Sequence, residues 1–236
     1  MMTEEQFVDF KCPHCADVVT FPLDSAGRAQ ECPGCSESVI VPKDGSGIGG
    51  KLPIPITTRQ LVLRRFEARD WRDLLEFLSD EELFLYVEGR PLGEEEILRW
   101  LEADQAVRLT TPQQPFCLGI ELPADNKLVG YLSLSFIDPP RLQAAVNLFI
   151  HRSFQRKGLA TEALTALLDF CFNGIGLHRV LTSIDSRNAA ADRLCQKAGL
   201  RREGEFLKDR FLDGQWANTR YYAMLTEDHC ARQQPR

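Results

Sequence analysis

The stretch FQRKGLATEAL, residues 154–164, is the part of the sequence that decides the fold. It places two small residues, Gly158 and Ala160, between an apolar run that ends near His151 and an amphipathic run that starts near Gly158. This order predicts a strand, a tight loop and then a helix. The first N–H groups of a helix have no partner within it and carry partial positive charge. The stretch therefore predicts a turn that can bind a phosphate.

The residues of this loop supply both the space and the charge that a phosphate needs. Gly158 lets the backbone approach a ligand closely, Thr161 offers a hydroxyl, and the basic pair adds charge at the entrance. The residues predicted to bind are Gln155, Arg156, Lys157, Gly158, Leu159, Ala160 and Thr161. The spacing matches neither a Walker motif nor GxGxxG. A plain strand–helix turn with a solvated basic pair is the structural alternative, and the residues alone leave both open.

Outward from this loop, the hydrophobic period alternates between that of strands and that of helices. The predicted order is β-α-α-β-β-β-α-β-α-β-β, a mixed α/β domain over residues 57–228. Its strands are predicted at 61–63, 116–122, 128–136, 144–151, 179–184, 201–211 and 216–225. Its helices are predicted at 68–78, 94–109, 158–172 and 189–198, with a further short helix at 80–87 that this order leaves out.

The first part of the chain carries two CxxC turns, CPHC at 12–15 and CPGC at 32–35, separated by sixteen residues. Each turn directs two thiolates at one centre, so that Cys12, Cys15, Cys32 and Cys35 form a tetrahedral set of ligands typical of Zn²⁺. Disulfides or a redox pair are the alternatives that this spacing leaves. The stretch resembles a zinc ribbon, and a module this short would depend on the metal for its folding. We expect a ribbon domain over residues 1–43.

Residues 44–56 are rich in glycine and serine between prolines, which predicts a flexible linker, and residues 229–236 are expected to form a C-terminal tail. The chain of 236 residues has a net charge of −6: three basic and eight acidic residues (−5) in 1–50, and 25 basic and 26 acidic residues (−1) in 51–236. This balance argues against a nucleic-acid partner. The sequence shows no apolar run long enough to span a bilayer and no secretory leader, so we expect a cytoplasmic protein without a membrane partner.

Two motifs in the second domain now carry a resemblance to a known superfamily. The loop Gln155-x-x-Gly158-x-Ala160 is similar to the [QR]-x-x-G-x-[GA] pyrophosphate loop of the GNAT N-acetyltransferases. The segment NAAADRLCQKAGL, residues 188–200, is similar to that superfamily's N-x-x-[SA]-x-x-L-x-x-K-x-G-[FL] segment. The opening LVLRRFEARDWRDLLEFLSD and the end RYYAML are similar to the subgroup that acetylates the N-termini of ribosomal proteins. The resemblance covers residues 58–228.

The resemblance implies a site and a reaction. It implies a mixed sheet with a V-shaped opening between the fourth and fifth strands, predicted at 144–151 and 179–184, in which acetyl-CoA lies as co-substrate. It implies further cofactor contacts through the backbone of Leu148, Phe149 and Ile150 and through the side chain of Asn188. A primary amine then attacks the thioester directly, and the subgroup implies that a protein N-terminus is the acceptor.

The sequence departs from the superfamily pattern at the two catalytic positions. Many members carry a carboxylate early in the fourth strand, where this chain has Ala-Ala-Val and then Asn147, which can only position a water. Many place a tyrosine seven residues after the motif asparagine, where this chain has Cys195. Cys195 is either a thiol acid or, on an apolar helical face, part of the core. Asn188 is either a helix N-cap, a cofactor contact or both.

Two functions from different classes fit these observations. One is an acetyl-CoA-dependent N-acetyltransferase with an appended zinc ribbon. The other is a catalytically weak protein that binds or senses acyl-CoA and whose ribbon recruits a partner; the missing carboxylate favours this second function. The intact loop predicts cofactor binding in both cases. The sequence names neither the acceptor nor the partner of the ribbon.

Overall fold

The computed structural model describes residues 7–42, 50–109, 114–138, 142–212 and 214–233. Residues 44–49 of the predicted linker and residues 234–236 of the predicted tail lie outside the described residues. Within those ranges, no helix combines the length and the apolar character that crossing a membrane requires.

The N-terminal module consists of two small antiparallel sheets. The first joins β1 (Phe7–Lys11) to β2 (Val18–Pro22), and the second joins β3 (Ala29–Glu31), β4 (Ser38–Ile40) and β5 (Gly50–Lys51). A CxxC turn connects the two strands of each hairpin, between β1 and β2 and between β3 and β4. The module's own core is small and is formed by a few apolar side chains and two of the cysteines: Val8, Phe10, Cys12, Val19, Cys32, Val39 and Val41.

The second domain is built on one eight-stranded sheet. Its strands are β6 (Ile56–Thr57), β7 (Val62–Arg64), β8 (Phe116–Leu122), β9 (Lys127–Asp138), β10 (Gln143–Ile150), β11 (Arg179–Asp185), β12 (Arg201–Leu212) and β13 (Gln215–Leu225). Their order across the sheet is β12-β13-β11-β10-β9-β8-β7-β6. All neighbours are antiparallel except β10 and β11, which are parallel. A parallel pair needs a crossover connection, which the segment quoted first supplies.

Five helices complete the described chain: α1 (Trp71–Leu78), α2 (Glu94–Ala106), α3 (Leu159–Asp169), α4 (Ala189–Ala198) and α5 (Thr226–Gln233). The mixed α/β sheet and its predicted order of elements are confirmed. Three elements differ from the prediction, and the helices predicted to end at 109 and 172 end at Ala106 and Asp169 instead. The short strand β6 and the helix α5 are additional, and the further short helix predicted at 80–87 is only a 3₁₀ turn over Glu81–Phe84.

The helices cover both faces of the sheet because adjacent residues of a strand point to opposite faces. In β8, Cys117 belongs to the cluster with α1 and α2, whereas Leu118 belongs to the larger cluster with α3 and α4. In β9, Tyr131 and Leu132 divide in the same way. The loop before α3 therefore meets the sheet from one face, and the loop between α1 and α2 meets it from the other.

The second half of the predicted linker is structured. Gly50–Lys51 adds β5 to the module's sheet, Ile56–Thr57 adds β6 to the main sheet, and Leu52 and Ile54 pack against the main core. Over residues 50–56 the structure thus differs from the prediction of a flexible linker. The physical reason is that apolar residues alternate with prolines and lysine in KLPIPI, and their apolar surface is covered by the core.

Candidate active site

The opening in the sheet lies where β10 and β11 part. Their parallel register runs only from Gln143 opposite Arg179 to Ala145 opposite Leu181. Beyond it, β10 stays paired with β9 up to Ile150, and β11 stays paired with β13 up to Asp185. The two strands therefore diverge, and the backbone groups of β10 that face β11 lose their sheet partner there. A cleft of about 560 Å³ fills the opening.

A close approach of backbones shapes the β10 side of this cleft. A Cβ on Gly130 of β9 would lie 2.1 Å from the carbonyl oxygen of Phe149, so no larger residue fits without moving β10. The sequence analysis did not single out Gly130. Its signal was a lone glycine inside the strand pattern LVGYLSL, which is typical of a bulge or of a close backbone approach. Gly130 thus fixes the position of the Phe149 peptide group in the opening.

The predicted phosphate loop lies at the junction of β10 and α3. Gly158 adopts the left-handed conformation, with φ 85°, and no atom lies within 4 Å of where its Cβ would be. The first intrahelical bond of α3 runs from the N–H of Glu162 to the carbonyl of Gly158, so the N–H groups before Glu162 have no acceptor within the helix. The loop therefore presents donors to open space, as a phosphate site requires.

Side chains hold this loop in place from both ends. The Gln155 amide donates to the carbonyl of Ile150 at 3.1 Å, which ties the loop to the end of β10. The Glu162 carboxylate accepts from Thr58 Oγ1, from the Gln60 backbone N–H and from Gln60 Nε2, each at 2.7 Å. Burial raises the pKa of Glu162, but the hydrogen bonds outweigh it and the net pKa is lowered. Glu162 thus anchors the turn before β7 to α3.

The other predicted loop residues divide into inward and outward side chains. Leu159 and Ile150 are buried in the main core, so only their backbone can reach a ligand. Arg156 and Lys157 are exposed, and the Lys157 ammonium lies 4.8 Å from the centre of the Phe154 ring. Two exposed cations therefore stand beside the free N–H groups, which favours an anionic ligand.

The cleft brings together the predicted residues of three elements. Asn147, Leu148 and Phe149 of β10 line one side, and Asn188 and Cys195 of α4 line the other. The Asn147 amide is exposed and reaches Ser133 Oγ at 3.4 Å. The Asn188 side chain accepts from the N–H of Ala191 at 3.0 Å, so it is the N-cap of α4 as well as a wall of the cleft.

Cys195 is buried too deeply to suit the role of thiol acid, one of the two roles that the sequence left open for it. Its side chain is 2% exposed and belongs to the main core. Burial, and then the nearby charge of Asp192, raise the pKa of its thiol to about 12. A thiol with so high a pKa gives up its proton reluctantly, which favours the packing role over that of an acid.

One carboxylate in the cleft was missed by the sequence analysis. Glu88, in the loop between α1 and α2, lines the cleft together with Tyr86 and Val87. It is exposed, and no described residue makes a hydrogen bond or ion pair with its carboxylate. The other carboxylate of the cleft, Asp185, is buried and held by Arg187, whose Nη2 lies 2.6 Å from it. A loop glutamate has no periodic signal, so only the folded structure places Glu88 here.

The four cysteines of the CxxC turns meet at one point in the N-terminal module. All four Sγ atoms lie within 4.8 Å of one another, with Cys12 and Cys35 at 3.7 Å and Cys15 and Cys32 at 3.8 Å. A tetrahedral zinc site with Zn–S bonds of about 2.3 Å has S···S edges of about 3.8 Å. The His14 N–H also points at Cys12 Sγ. The donor set and its spacing therefore fit a tetrahedral metal.

Comparison with known proteins agrees with the geometry of the second domain. Residues 60–201 match the acetyltransferase (GNAT) domain family. The uncharacterised N-acetyltransferase YnaD of Bacillus subtilis is 27% identical over 177 residues, which cover 73% of this chain and 98% of that protein. The ribosomal protein uS5 alanine N-acetyltransferase of Escherichia coli is 27% identical over 184 residues, which cover 74% of this chain and 92% of that protein.

A solved structure shows the same fold. The spermidine N-acetyltransferase of Vibrio cholerae, in complex with CoA and spermine, superposes with a TM-score of 0.65 at 21% identity. The match covers 73% of this chain and 99% of that one. At this identity the likeness concerns the fold, and the acceptors of these relatives differ from one another.

Proposed function

The chain belongs to the GNAT acetyltransferase family and is an N-acetyltransferase, and from that premise we propose that it moves the acetyl group of acetyl-CoA to the α-amino group of a peptide or protein. One observation carries this proposal: strand β10 diverges from β11 and then leads directly into the phosphate loop before α3. A thioester can lie between the strands while its pyrophosphate lies on the loop.

The cavities around the loop support the binding of a long cofactor. The cleft extends from Phe149 to Asn188 on one side of the loop. On the other side a groove of about 950 Å³ runs along the outer face of α3 and includes Gly158 and Thr161. The loop thus stands between room for the pantetheine arm and room for the nucleotide. Leu148, Phe149 and Ile150 bind the arm through their backbone, and residues 155–161 bind the pyrophosphate.

The reaction needs one bond formed, one bond broken and two protons moved. The acceptor ammonium first loses a proton, and the neutral amine attacks the thioester carbon. A backbone N–H near Phe149 stabilises the negative oxygen of the intermediate. The C–S bond then breaks, and the second proton of the nitrogen passes to the departing thiolate. The products are the N-acetylated acceptor and the free thiol of CoA.

The lack of a proton-accepting side chain early in β10 favours an α-amine as acceptor. Ala144, Ala145 and Val146 leave the early part of β10 without a proton acceptor. A free α-amine has a pKa of about 7.7–8.0, whereas that of lysine is about 10.4. At neutral pH roughly a tenth of α-amines are already neutral, but fewer than about 0.1% of lysines are. A site that lacks a strong base therefore acts on an N-terminus far more readily than on a lysine.

Glu88 supplies the route for the first proton. It lines the same cleft as Asn147 and Phe149 of β10, and no described residue neutralises its carboxylate. From there it accepts the proton of the ammonium through a water that Asn147 orients, and passes it to solvent. A carboxylate is a weaker base than an amine, so this route suits the less basic α-amine better than lysine.

The first experiment compares two peptides and two variants. The peptides share one sequence; one has a free N-terminus, and the other is blocked there and carries an internal lysine. We expect a higher kcat/KM at pH 7 for the free N-terminus, with a rate that rises along the titration of the acceptor. Glu88→Gln should lower kcat by about 10²-fold, whereas Glu81→Gln, an exposed carboxylate of the same loop outside the cleft, should not.

Three results would each contradict a different part of this proposal. Preference for the blocked lysine peptide would overturn the α-amine acceptor. If Glu88→Gln raises KM and leaves kcat unchanged, Glu88 attracts the ammonium and does not take its proton. Acetyl-CoA binding without transfer to either peptide would favour a protein that senses acyl-CoA.

We also propose that Cys12, Cys15, Cys32 and Cys35 bind one structural Zn²⁺ within a ribbon domain. Support comes from the spacing of the four sulfurs and from the small apolar core around them. A module with so few buried residues gains its folding free energy from the metal. The family match begins at residue 60, so the ribbon is an addition to the catalytic domain.

A further inference from the structure

A second cavity, here called the side pocket, adjoins the cleft at Tyr131 and at the loop between α1 and α2. It has a volume of about 330 Å³ and is lined by Leu78, Phe84, Gly89, Leu92, Trp100 and Tyr131, together with Arg90. The loop that carries Glu88 runs between the two cavities, because Tyr86, Val87 and Glu88 line the cleft whereas the next two residues line the side pocket.

Tyr131 is the wall that the two cavities share. Its ring stacks on that of Phe149, with centres 4.9 Å apart and planes 17° apart. On its other side it meets the ring of Trp100, with centres 5.3 Å apart. Phe149 lies in the part of β10 where the thioester carbonyl is proposed to bind. The side pocket is therefore separated from Phe149 by the ring of Tyr131.

The chemistry of the side pocket suits an uncharged apolar group. Its one charged lining residue, Arg90, has its guanidinium paired with the Glu96 carboxylate, with Nη1 and Oε2 3.1 Å apart. The remaining lining side chains are aliphatic or aromatic, apart from the Tyr131 hydroxyl. An unpaired charge in such a pocket would lose its hydration without a partner, whereas an aliphatic group gains from leaving water.

The place of the pocket beside the proposed thioester site selects one kind of amine. In an α-amine the carbon bonded to nitrogen carries the residue's side chain. In lysine or a polyamine the same carbon carries two hydrogens and the one chain that leads on to the rest of the acceptor, so no second substituent branches into a pocket at that point. Resting on the proposed function, we infer that the side pocket receives the apolar side chain of the acceptor's first residue and that the substrates are peptides or proteins with an aliphatic N-terminal residue.

Peptides that differ only in the first residue test this inference. The series has Gly, Ala, Leu, Ser and Asp at the first position, with spermidine as a linear amine. We expect kcat/KM to rise from Gly through Ala to Leu, with Leu at least about 10-fold above Gly. Ser should stay near Ala or below it, Asp below Gly, and spermidine below every peptide with an aliphatic first residue.

A variant that fills the pocket makes the test specific. Leu92→Trp places a larger side chain in the side pocket, while the Leu92 N–H can keep its bond to the carbonyl of Leu78. It should bring the Leu peptide down to the level of the Gly peptide and leave the Gly peptide within about twofold. The matched control is Leu98→Trp, the same change at an exposed position of α2 outside the pocket.

A second variant keeps the test valid if Leu92→Trp does not fold. Trp100→Leu enlarges the pocket and should move the preference towards a first residue larger than Leu, such as Phe. Acetyl-CoA binding confirms that each variant is folded. Two outcomes would overturn only the role inferred for the side pocket. One is an active enzyme with the same kcat/KM for all first residues. The other is an equal loss of kcat/KM on the Gly and Leu peptides in Leu92→Trp. If none of the peptides leads to release of the CoA thiol, the proposed function is overturned and this inference with it.

Discussion

Gly158 shows how the conformation of one residue shapes the loop that is proposed to bind the pyrophosphate. Its φ of 85° lies in the left-handed region, and Arg156 two residues earlier has φ 60°. This conformation costs an L-residue about 1–2 kcal/mol. The loop has two left-handed positions, and glycine at 158 avoids that cost at one of them. Because open space surrounds its Cβ position, the cost of a substitution in the free protein comes from the backbone and not from a clash.

We predict that Gly158→Ala lowers the free energy of unfolding by about 1 kcal/mol and weakens acetyl-CoA binding by at least tenfold. The added methyl group stands where the pyrophosphate approaches the backbone. The matched control is Gly214→Ala, in the turn between β12 and β13, where φ is 76° and the Cβ position is equally open. Calorimetric titration and denaturant unfolding of both variants give the two quantities. Equal acetyl-CoA affinity in the two variants would show that the loop does not hold the pyrophosphate.

The residues of the site differ in how far the sequence could reveal them. The loop residues 155–161 and the four cysteines have fixed local spacing, so the sequence alone picks them out. Glu88 and Tyr131 have no such pattern, because they reach the site only when the loop between α1 and α2 packs beside β9 and β10. The spacing of residues along the chain does not reveal a tertiary contact of this kind.

At the scale of elements, the ends of a helix were predictable where capping residues mark them in the sequence. The predicted bounds of α4, 189–198, coincide with the observed ones, because Asn188 caps its start and Gly199 adopts φ 84° at its end. The helix after the phosphate loop was expected to reach 172, but α3 ends at Asp169 and a π turn follows over Phe170–Gly174. Apolar periodicity continues through both geometries and cannot separate them.

Asp104 and Arg65 connect the end of α2 to the strands. The Asp104 carboxylate is 2% exposed and lies 2.8 Å from Arg65 Nη2, yet among the described residues no N–H is well aimed at either oxygen. Arg65 also donates to the carbonyls of Cys117 and Val107, at 2.8 and 3.2 Å. Burial raises the pKa of Asp104 to about 6, although the charge of Arg65 opposes it.

This raised pKa gives a predicted dependence of stability on pH. Between the unfolded value of about 3.9 and about 6, the folded protein binds the proton of Asp104 more tightly than the unfolded chain does. Its contribution to stability is therefore present below about pH 4 and is lost as the pH rises through 6. Asp104→Asn should remove this loss, so its free energy of unfolding should gain on the wild type by about 2–3 kcal/mol between pH 4 and 8.

Denaturant unfolding across that pH range measures the difference. The control is Glu102→Gln on an exposed turn of the same helix, which should keep the pH slope of the wild type. Parallel curves for Asp104→Asn and the wild type would mean that Asp104 is ionised in the folded protein at no cost.

At the scale of the whole molecule, the N-terminal module that carries the proposed ribbon is in contact with the acetyltransferase domain. Ala29 and Ile40 of the N-terminal module pack against the main core, and the Glu37 carboxylate lies 3.1 Å from Arg108 Nη2. The sequence pattern predicts two separate parts of the chain, but it cannot show that their surfaces meet. A flexible linker would let the ribbon unfold without consequence, whereas this contact couples the stability of the two parts.

The last prediction tests that coupling through Cys12→Ser. Loss of one sulfur ligand should release the metal and unfold the ribbon, because its few buried residues cannot hold it alone. The catalytic domain should remain folded and bind acetyl-CoA, but exposure of the surface under Ile40 should cost it about 2 kcal/mol, or about 4–8 °C in Tm. The control is Cys230→Ser, an exposed cysteine outside the cluster, which should change neither metal content nor Tm. Metal analysis should give one zinc per chain in the wild type and none in Cys12→Ser. An unchanged Tm of the acetyl-CoA-binding domain would show that the ribbon contributes nothing to it, and a wild type without metal would remove the zinc site itself.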